Sequence, residues 1–307
     1  MARSARKVVF AAGAANLAIA LSKFVAFGFT GSSAMLTEAI HSLVDTGNQG
    51  LLLVGQARAA REPSATHQFG YGMEAFFWSF IVALMIFALG GAASVWEGLH
   101  QLSHAEPIRM PWVSFIVLGL AIVFEGLSFR VAWKEYQAIA GHSGFFTFLR
   151  GSKDPSLFAV LLEDGAALAG LLIALTGTSA SAFLGWTYAD GIASICIGLL
   201  LVAVAIFLAN ETRSLIAGEA ASPAVQAKIR QIIAADSDIS GVASIQSLHL
   251  GPDEILVAIT LDFRDELSGP EIEEAADRLS KAVRGADPRI TNVFLRPGKP
   301  ASAASAA

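Results

Sequence analysis

The chain has 307 residues, of which 54% are hydrophobic and only 15% charged, with a formal net charge of −5. A soluble domain carries about 25% charged residues, so one water-soluble globule is excluded. Cys196 is the only cysteine, which excludes a disulfide framework and a cysteine metal site. No basic patch points to nucleic acid.

The apolar residues fall in long runs up to about Asn210. Met1–Lys7 is basic and an apolar stretch follows, the outline of a secretory signal. That stretch runs on to Phe29 through Lys23 and leads straight into another apolar run, so it reads as a first membrane span. Six segments reach the roughly 20 apolar residues that a helix needs to cross hydrocarbon: 8–29, 34–57, 75–99, 111–133, 156–177 and 182–210. The short loop at 30–33 predicts a tight hairpin between the first two. A Gly/Ser/Thr-rich turn near 177–182 is expected between the last two. The connection at 135–155, with Gly141, Gly144 and Gly151, is expected to be a mobile cytoplasmic loop.

Basic residues set the orientation. Arg3, Arg6, Lys7, Arg58, Arg61, Arg130, Lys134, Arg150, Lys153 and Arg213 fall on one side, and Arg109 alone on the other. Six spans with both termini in the cytoplasm satisfy this distribution.

The tail is ordinary soluble sequence, with 13 acidic and 9 basic residues between Glu219 and Lys299. Ser222-Pro223 starts a helix to about Ala235. Val242–Leu250 and Ile255–Phe263 alternate as strands around the turn Gly251-Pro252-Asp253. Ser268-Gly269-Pro270-Glu271 combines an N-cap, a first-turn proline and a capping-box glutamate. Ile290–Leu295 is the last strand. The expected fold is an α-helical membrane protein with a small α+β domain in the order α-β-β-α-β. The expected division is a six-helix transmembrane domain over 1–212, a cytoplasmic ferredoxin-like dimerisation domain over 213–299, and a disordered tail at 300–307.

Ionisable groups inside a span are costly and mark function by default. Here they are Lys23, Glu38, His41, Asp45, Glu97, Glu125, Glu163, Asp164 and Asp190. Glu97 and Asp190 lie near span ends, where water is expected to reach them. His41 and Asp45 lie mid-span at i and i+4, so both project from one helix face. Imidazole nitrogen with carboxylate oxygen suits Zn²⁺ and related first-row ions. Four ligands are usual, so a second helix must contribute, and segment 156–177 offers Glu163 and Asp164. These neighbours point about 100° apart, so one of the two is expected to face the pair. The competing reading of His41/Asp45 is a mutually satisfied bridge that only holds helices together. Glu125 could pair with Lys23 or serve in a relay. Asn48 and Gln49 read as helix–helix hydrogen-bonders. Neither a P-loop nor a His-Glu-x-x-His nor a Gly-x-Ser-x-Gly motif occurs, so no enzymatic or ATP-driven mechanism is indicated.

Thr30-Gly-Ser-Ser-Ala-Met-Leu-Thr-Glu38-Ala-Ile-His41-Ser-Leu-Val-Asp45 resembles the second-helix signature of the cation diffusion facilitators. His67-Gln-Phe69-Gly70-Tyr71-Gly72-Met-Glu74 resembles the loop into their third helix. Lys153-Asp154-Pro155 with Leu161-Leu162-Glu163-Asp164-Gly-Ala-Ala looks like the branch related to zinc transporter nine. The resemblance implies a secondary transporter, not an enzyme, that carries a divalent cation out across a membrane in exchange for protons. It implies an ion held between helices 2 and 5 by His41, Asp45 and Asp164. The remaining family position falls on Val160, which cannot ligate, and Glu163, a water or Glu125 could complete the set. Of the family's loop ligands only His67 is present, with Ser64 and Tyr71 at the matching positions. His67 reads as a turn residue, and His249 in the tail is isolated.

The transported ion is expected to be Zn²⁺, with Mn²⁺, Fe²⁺ or Co²⁺ open, and no prosthetic group is expected. The expected partners are the divalent ion, protons, membrane lipid and a second copy of the chain paired through the tail without a metal cluster. No nucleic acid is expected. The alternative is a non-transporting metal sensor or scaffold acting through the acidic tail.

Overall fold

The computed structural model describes residues 2–104, 110–140 and 155–299. Most of the expected cytoplasmic loop, Arg109 and the expected tail at 300–307 lie outside the described residues.

Six long helices come first in chain order. They are α1 (Ala2–Thr30), α2 (Ser33–Ala59), α3 (Met73–Ser103), α4 (Pro111–Ala140), α5 (Pro155–Leu184) and α6 (Ala189–Ile216). Four contain stretches long and apolar enough to cross a membrane: Met73–Ser103, Pro111–Lys134, Phe158–Leu184 and Ala189–Ile216. Within α1 the residues whose side chains are described, Asn16–Thr30, form a shorter apolar helix. The helix α2 falls short because Glu38, His41, Asp45 and Asn48 interrupt its apolar run. Bulky apolar side chains such as Leu21, Trp96, Leu120, Val131 and Leu199 point outward and are more than half exposed. Helices that are apolar outside as well as inside are built for lipid. The protein is an integral membrane protein with a small sheet domain after its long helices.

Two local features differ from expectation. The stretch 177–182 lies inside α5, and the turn to α6 comes at 185–188, where Gly185 takes φ +66°. Hydroxyls in and beside that stretch bond back along the helix, Thr176 Oγ1 to Leu172 O at 2.8 Å and Ser179 Oγ to Leu175 O at 2.7 Å. Thr178 Oγ1 is buried without a hydrogen-bond partner among the described residues, so the stretch is held helical by its backbone bonds, which lipid requires to be made internally. The second feature is a π-helical stretch, Ile86–Ala92, within α3. Here Gly90 and Gly91 are buried, and a side chain on Gly91 would collide with Val202 of α6.

The chain forms two compact units. One holds the helices up to Ala57 and Phe77–Arg213. In it α4 packs along both α5 and α1. Its core includes Met35, Phe158, Leu171 and Ile197, all buried.

The second unit holds Arg58–Phe76 and the chain from Ser214 onward. Its elements are α7 (Pro223–Ala234), β1 (Ile239–Gly251), β2 (Glu254–Phe263), α8 (Gly269–Ala286) and β3 (Ile290–Pro297). The central strand β2 pairs antiparallel with β1 and parallel with β3. Alternation along β2 puts Ile255, Val257, Ile259, Leu261 and Phe263 on one buried face. That face packs on Ile229 and Ile233 of α7 and on Leu279 and Val283 of α8. The expected capping box is present, with Ser268 and Glu271 exchanging bonds at the start of α8.

Candidate metal centre

The polar residues of α2 form one stripe: Glu38, His41, Asp45 and Asn48 at helical spacings of three and four. All four are buried. His41 and Asp45 face each other along the helix, with Nε2 3.3 Å from Oδ2. Nevertheless Nε2 of His41 and Oδ1 of Asp45 are buried without a hydrogen-bond partner. A helix-gluing bridge would satisfy these atoms, because an unmade buried hydrogen bond costs about 1–3 kcal/mol.

The stripe is anchored at both ends. Toward its start, Glu38 Oε2 accepts from Lys23 Nζ of α1 at 3.1 Å. The same ammonium reaches Ser42 Oγ at 2.7 Å. Lys23 therefore pairs with Glu38 in this structure and not with Glu125, which is buried on α4. Toward its end, Asn48 Nδ2 donates to Glu163 Oε1 of α5. The two neighbouring acids of α5 part company, as their 100° separation requires. Glu163 is 6% exposed and meets α2, whereas Asp164 is half-buried and accepts from Ser128 Oγ of α4 at 3.0 Å. Asn48 is the helix–helix hydrogen-bonder its position suggested.

The register between α2 and α5 follows from two contacts. Asn48 meets Glu163, and a side chain on Gly170 would come within 2.7 Å of Glu38 Oε1. Between Glu163 and Gly170 the inward face of α5 carries Ala166 and Ala167. The His41/Asp45 pair is thus bracketed by small residues and by one carboxylate from α5. Val160 lies one turn before Glu163 and only packs against the core. Among the described residues no three His, Cys, Asp or Glu side chains converge as a ready-made metal cage.

Asp190 behaves differently from expectation. It is fully buried at the start of α6 rather than reaching water. Its carboxylate accepts from Ser32 Oγ at 2.7 Å and from Ala34 N at 3.2 Å. It thereby caps the start of α2, where unpaired N–H groups favour an anion. Sequence position alone suggested a solvent-exposed acid. The missed signal is that α2 begins with a short polar loop that needs an acceptor.

In the second unit, His67 is exposed and stacks on Tyr71 with ring centres 4.3 Å apart. Ser64 Oγ lies 3.0 Å from Tyr71 Oη. The glycine at 72 is explained by close approach, since a Cβ there would lie 2.5 Å from Leu250 O. His249 is buried on β1, and its N–H donates to Glu219 O.

The sequence has relatives among known proteins. The chain is 31% identical over 259 residues to the human proton-coupled zinc antiporter SLC30A9, mitochondrial, covering 84% of this chain and 46% of that one. It is 32% identical over 254 residues to metal tolerance protein C4 of Arabidopsis thaliana, covering 82% and 56%. It thus spans about half the length of these relatives. A more distant relative, the cation-efflux pump FieF of Escherichia coli, is 22% identical over 284 residues, covering 92% and 88%. Residues 9–217 match the cation efflux transmembrane domain, and the chain belongs to that family.

Proposed function

We propose that the protein exports a divalent cation, Zn²⁺ first, in exchange for protons, with the ion held by His41 and Asp45 of α2 and by Glu163 and Asp164 of α5. The observation that carries this is the His41/Asp45 pair, buried mid-helix with one nitrogen and one oxygen that find no hydrogen-bond partner among the described residues. A cation completes those atoms as no side chain present does. The relatives named as zinc antiporters support zinc and proton coupling. Among the described residues the ligands are not preassembled, which suits a transporter that must release its cargo. Glu163 keeps one oxygen on Asn48 and has a second to offer. Asp164 joins by leaving Ser128.

Metal binding requires a neutral imidazole and ionised carboxylates. Protons arriving from the far side therefore compete with the ion for the same atoms and expel it. In this reading α1–α6 all span the membrane, both termini lie in the cytoplasm, and two copies pair through the β1–β3 domain.

The test is Zn²⁺ flux into proteoliposomes under a proton gradient. Wild type transports and Asp45→Ala does not. Stoichiometric binding without turnover would instead identify a sensor, and unchanged flux in Asp45→Ala would remove the site.

A further inference from the structure

Among the described residues Lys23 is the one buried lysine or arginine in the long-helix unit. The buried acids there are Glu38, Asp45, Glu125, Glu163 and Asp190. The ammonium divides itself between Glu38 Oε2 and Ser42 Oγ. It leaves Glu38 Oε1, on a residue with no solvent exposure, buried without a partner. Across from that oxygen α5 carries Gly170, where a Cβ would come within 2.7 Å of it. Glu38 is one helical turn from His41, toward the α1–α2 hairpin.

These facts describe an occupied cation position beside the proposed one. A buried carboxylate is sustained by a nearby positive charge. Lysine supplies that charge as a compact point on a flexible stem, unlike the two-pronged grip of arginine. Ser42 gives the ammonium a second resting place without a charge.

Resting on His41 and Asp45 as the ion site, we infer that Glu38 is a second station for the transported divalent cation and that Lys23 is a tethered cation holding it in the ion's absence. The ion moves one turn along α2 from His41/Asp45 to Glu38 as the ammonium withdraws onto Ser42. When the ion leaves, Lys23 returns, so the empty carrier does not expose a bare buried carboxylate.

Opposite substitutions of Lys23 separate this from a structural ion pair. The assay is Zn²⁺ flux by the reconstituted full chain, with equilibrium Zn²⁺ titration of the same preparation. If the ammonium vacates Glu38 in about a tenth of molecules, removing it tightens apparent affinity about tenfold. Lys23→Met therefore lowers both KM and kcat and tightens the titration. Lys23→Met/Glu38→Gln returns the affinity to the wild-type value. Lys23→Arg folds, binds Zn²⁺ more weakly than wild type and turns over several-fold more slowly, because a two-pronged grip does not let go.

A Lys23→Met variant with unchanged affinity, or a tightened affinity that Glu38→Gln does not reverse, overturns the inference. Where Lys23→Met does not fold, wild-type turnover in Lys23→Arg overturns it as well. If wild type carries no Zn²⁺, or Asp45→Ala carries it normally, the transport reading fails instead. A chain that transports through Asp45 but ignores both Lys23 substitutions fails only the second station.

Discussion

The bond between Asn48 and Glu163 ties α2 directly to α5, and its removal tests whether Glu163 serves the ion. Asn48 has no solvent exposure and lies one turn beyond Asp45. It fixes one oxygen of Glu163, leaving the other for a cation at the pair. Groups that orient a metal ligand in this way are worth 10- to 100-fold in affinity, or about 1.4–2.7 kcal/mol. Asn48→Ala is therefore expected to weaken Zn²⁺ binding by at least about tenfold. It also leaves a buried acceptor unpaired and lowers stability of the metal-free protein by about 1–3 kcal/mol.

A double-mutant cycle isolates the part that acts through Glu163. Binding of Zn²⁺ by titration calorimetry is measured for wild type, Asn48→Ala, Glu163→Gln and the double variant. If Asn48 works only by aiming Glu163, the double variant binds no more weakly than Glu163→Gln alone. Two independent losses that add would refute the reasoning and make Asn48 a contributor in its own right. Unchanged affinity in both single variants would remove Glu163 from the site and leave α5 represented by Asp164.

Other consequences concern packing and the tail. A side chain on Gly198 would meet Gly91 O and Val95 N at 2.8 Å, so Gly198→Leu is expected to cost at least about 1–3 kcal/mol in detergent melts. Gly126→Ala on α4 has nothing within 4 Å and should instead gain about 0.5–1 kcal/mol. Leu279→Ala empties the core between α8 and the sheet and should cost about 2–5 kcal/mol, read as lost amide protection across β2. The Arg289 guanidinium bonded to Asp287 holds that carboxyl below the usual aspartate range. A lowered folded pKa adds stability above the unfolded value and loses it as pH falls through the folded one. Amide protection around β3 should therefore fall more steeply with acid, below about pH 4, in wild type than in Asp287→Asn.

Much of this was legible because two independent codes were present. Apolar runs marked the long helices, and alternation with turn and cap residues marked the tail in the order observed. The end of α5 was misplaced because Gly177, Thr178 and Ser179 read as a loop by composition, while the hydroxyls of Thr176 and Ser179 are satisfied by the helix itself. The π-helical stretch in α3 left no composition signal beyond Gly90-Gly91, since it depends on how closely α6 approaches. Within the site, helix periodicity put His41 and Asp45 on one face and parted Glu163 from Asp164. It could not say which of the two acids meets α2, because that depends on rotation about α5. The Lys23–Glu38 pair was similarly hidden, since a sequence does not say which of several buried acids one lysine will choose.

Charge alone does not sort the intramembrane acids, but hydrogen bonding does. Asp190 is spent on the start of α2, and Glu38 on Lys23. Glu163 and Asp164 each hold one neutral donor, Asn48 and Ser128. Among the described residues His41 and Asp45 pair with each other, at a separation and geometry that leave an atom on each without a hydrogen bond. In lipid such atoms cannot turn to bulk water, so the deficit persists until something enters. A permanent deficit of this kind is poor glue and a good reason to bind a cation. The neutral donors on the α5 acids fit the same logic, because a hydrogen bond to an amide or hydroxyl is weak enough to exchange for a metal, whereas a helix cap is not. In the proposed transport cycle that ordering has His41 and Asp45 meet the ion first and Glu163 and Asp164 close on it, while Asp190 stays with the start of α2.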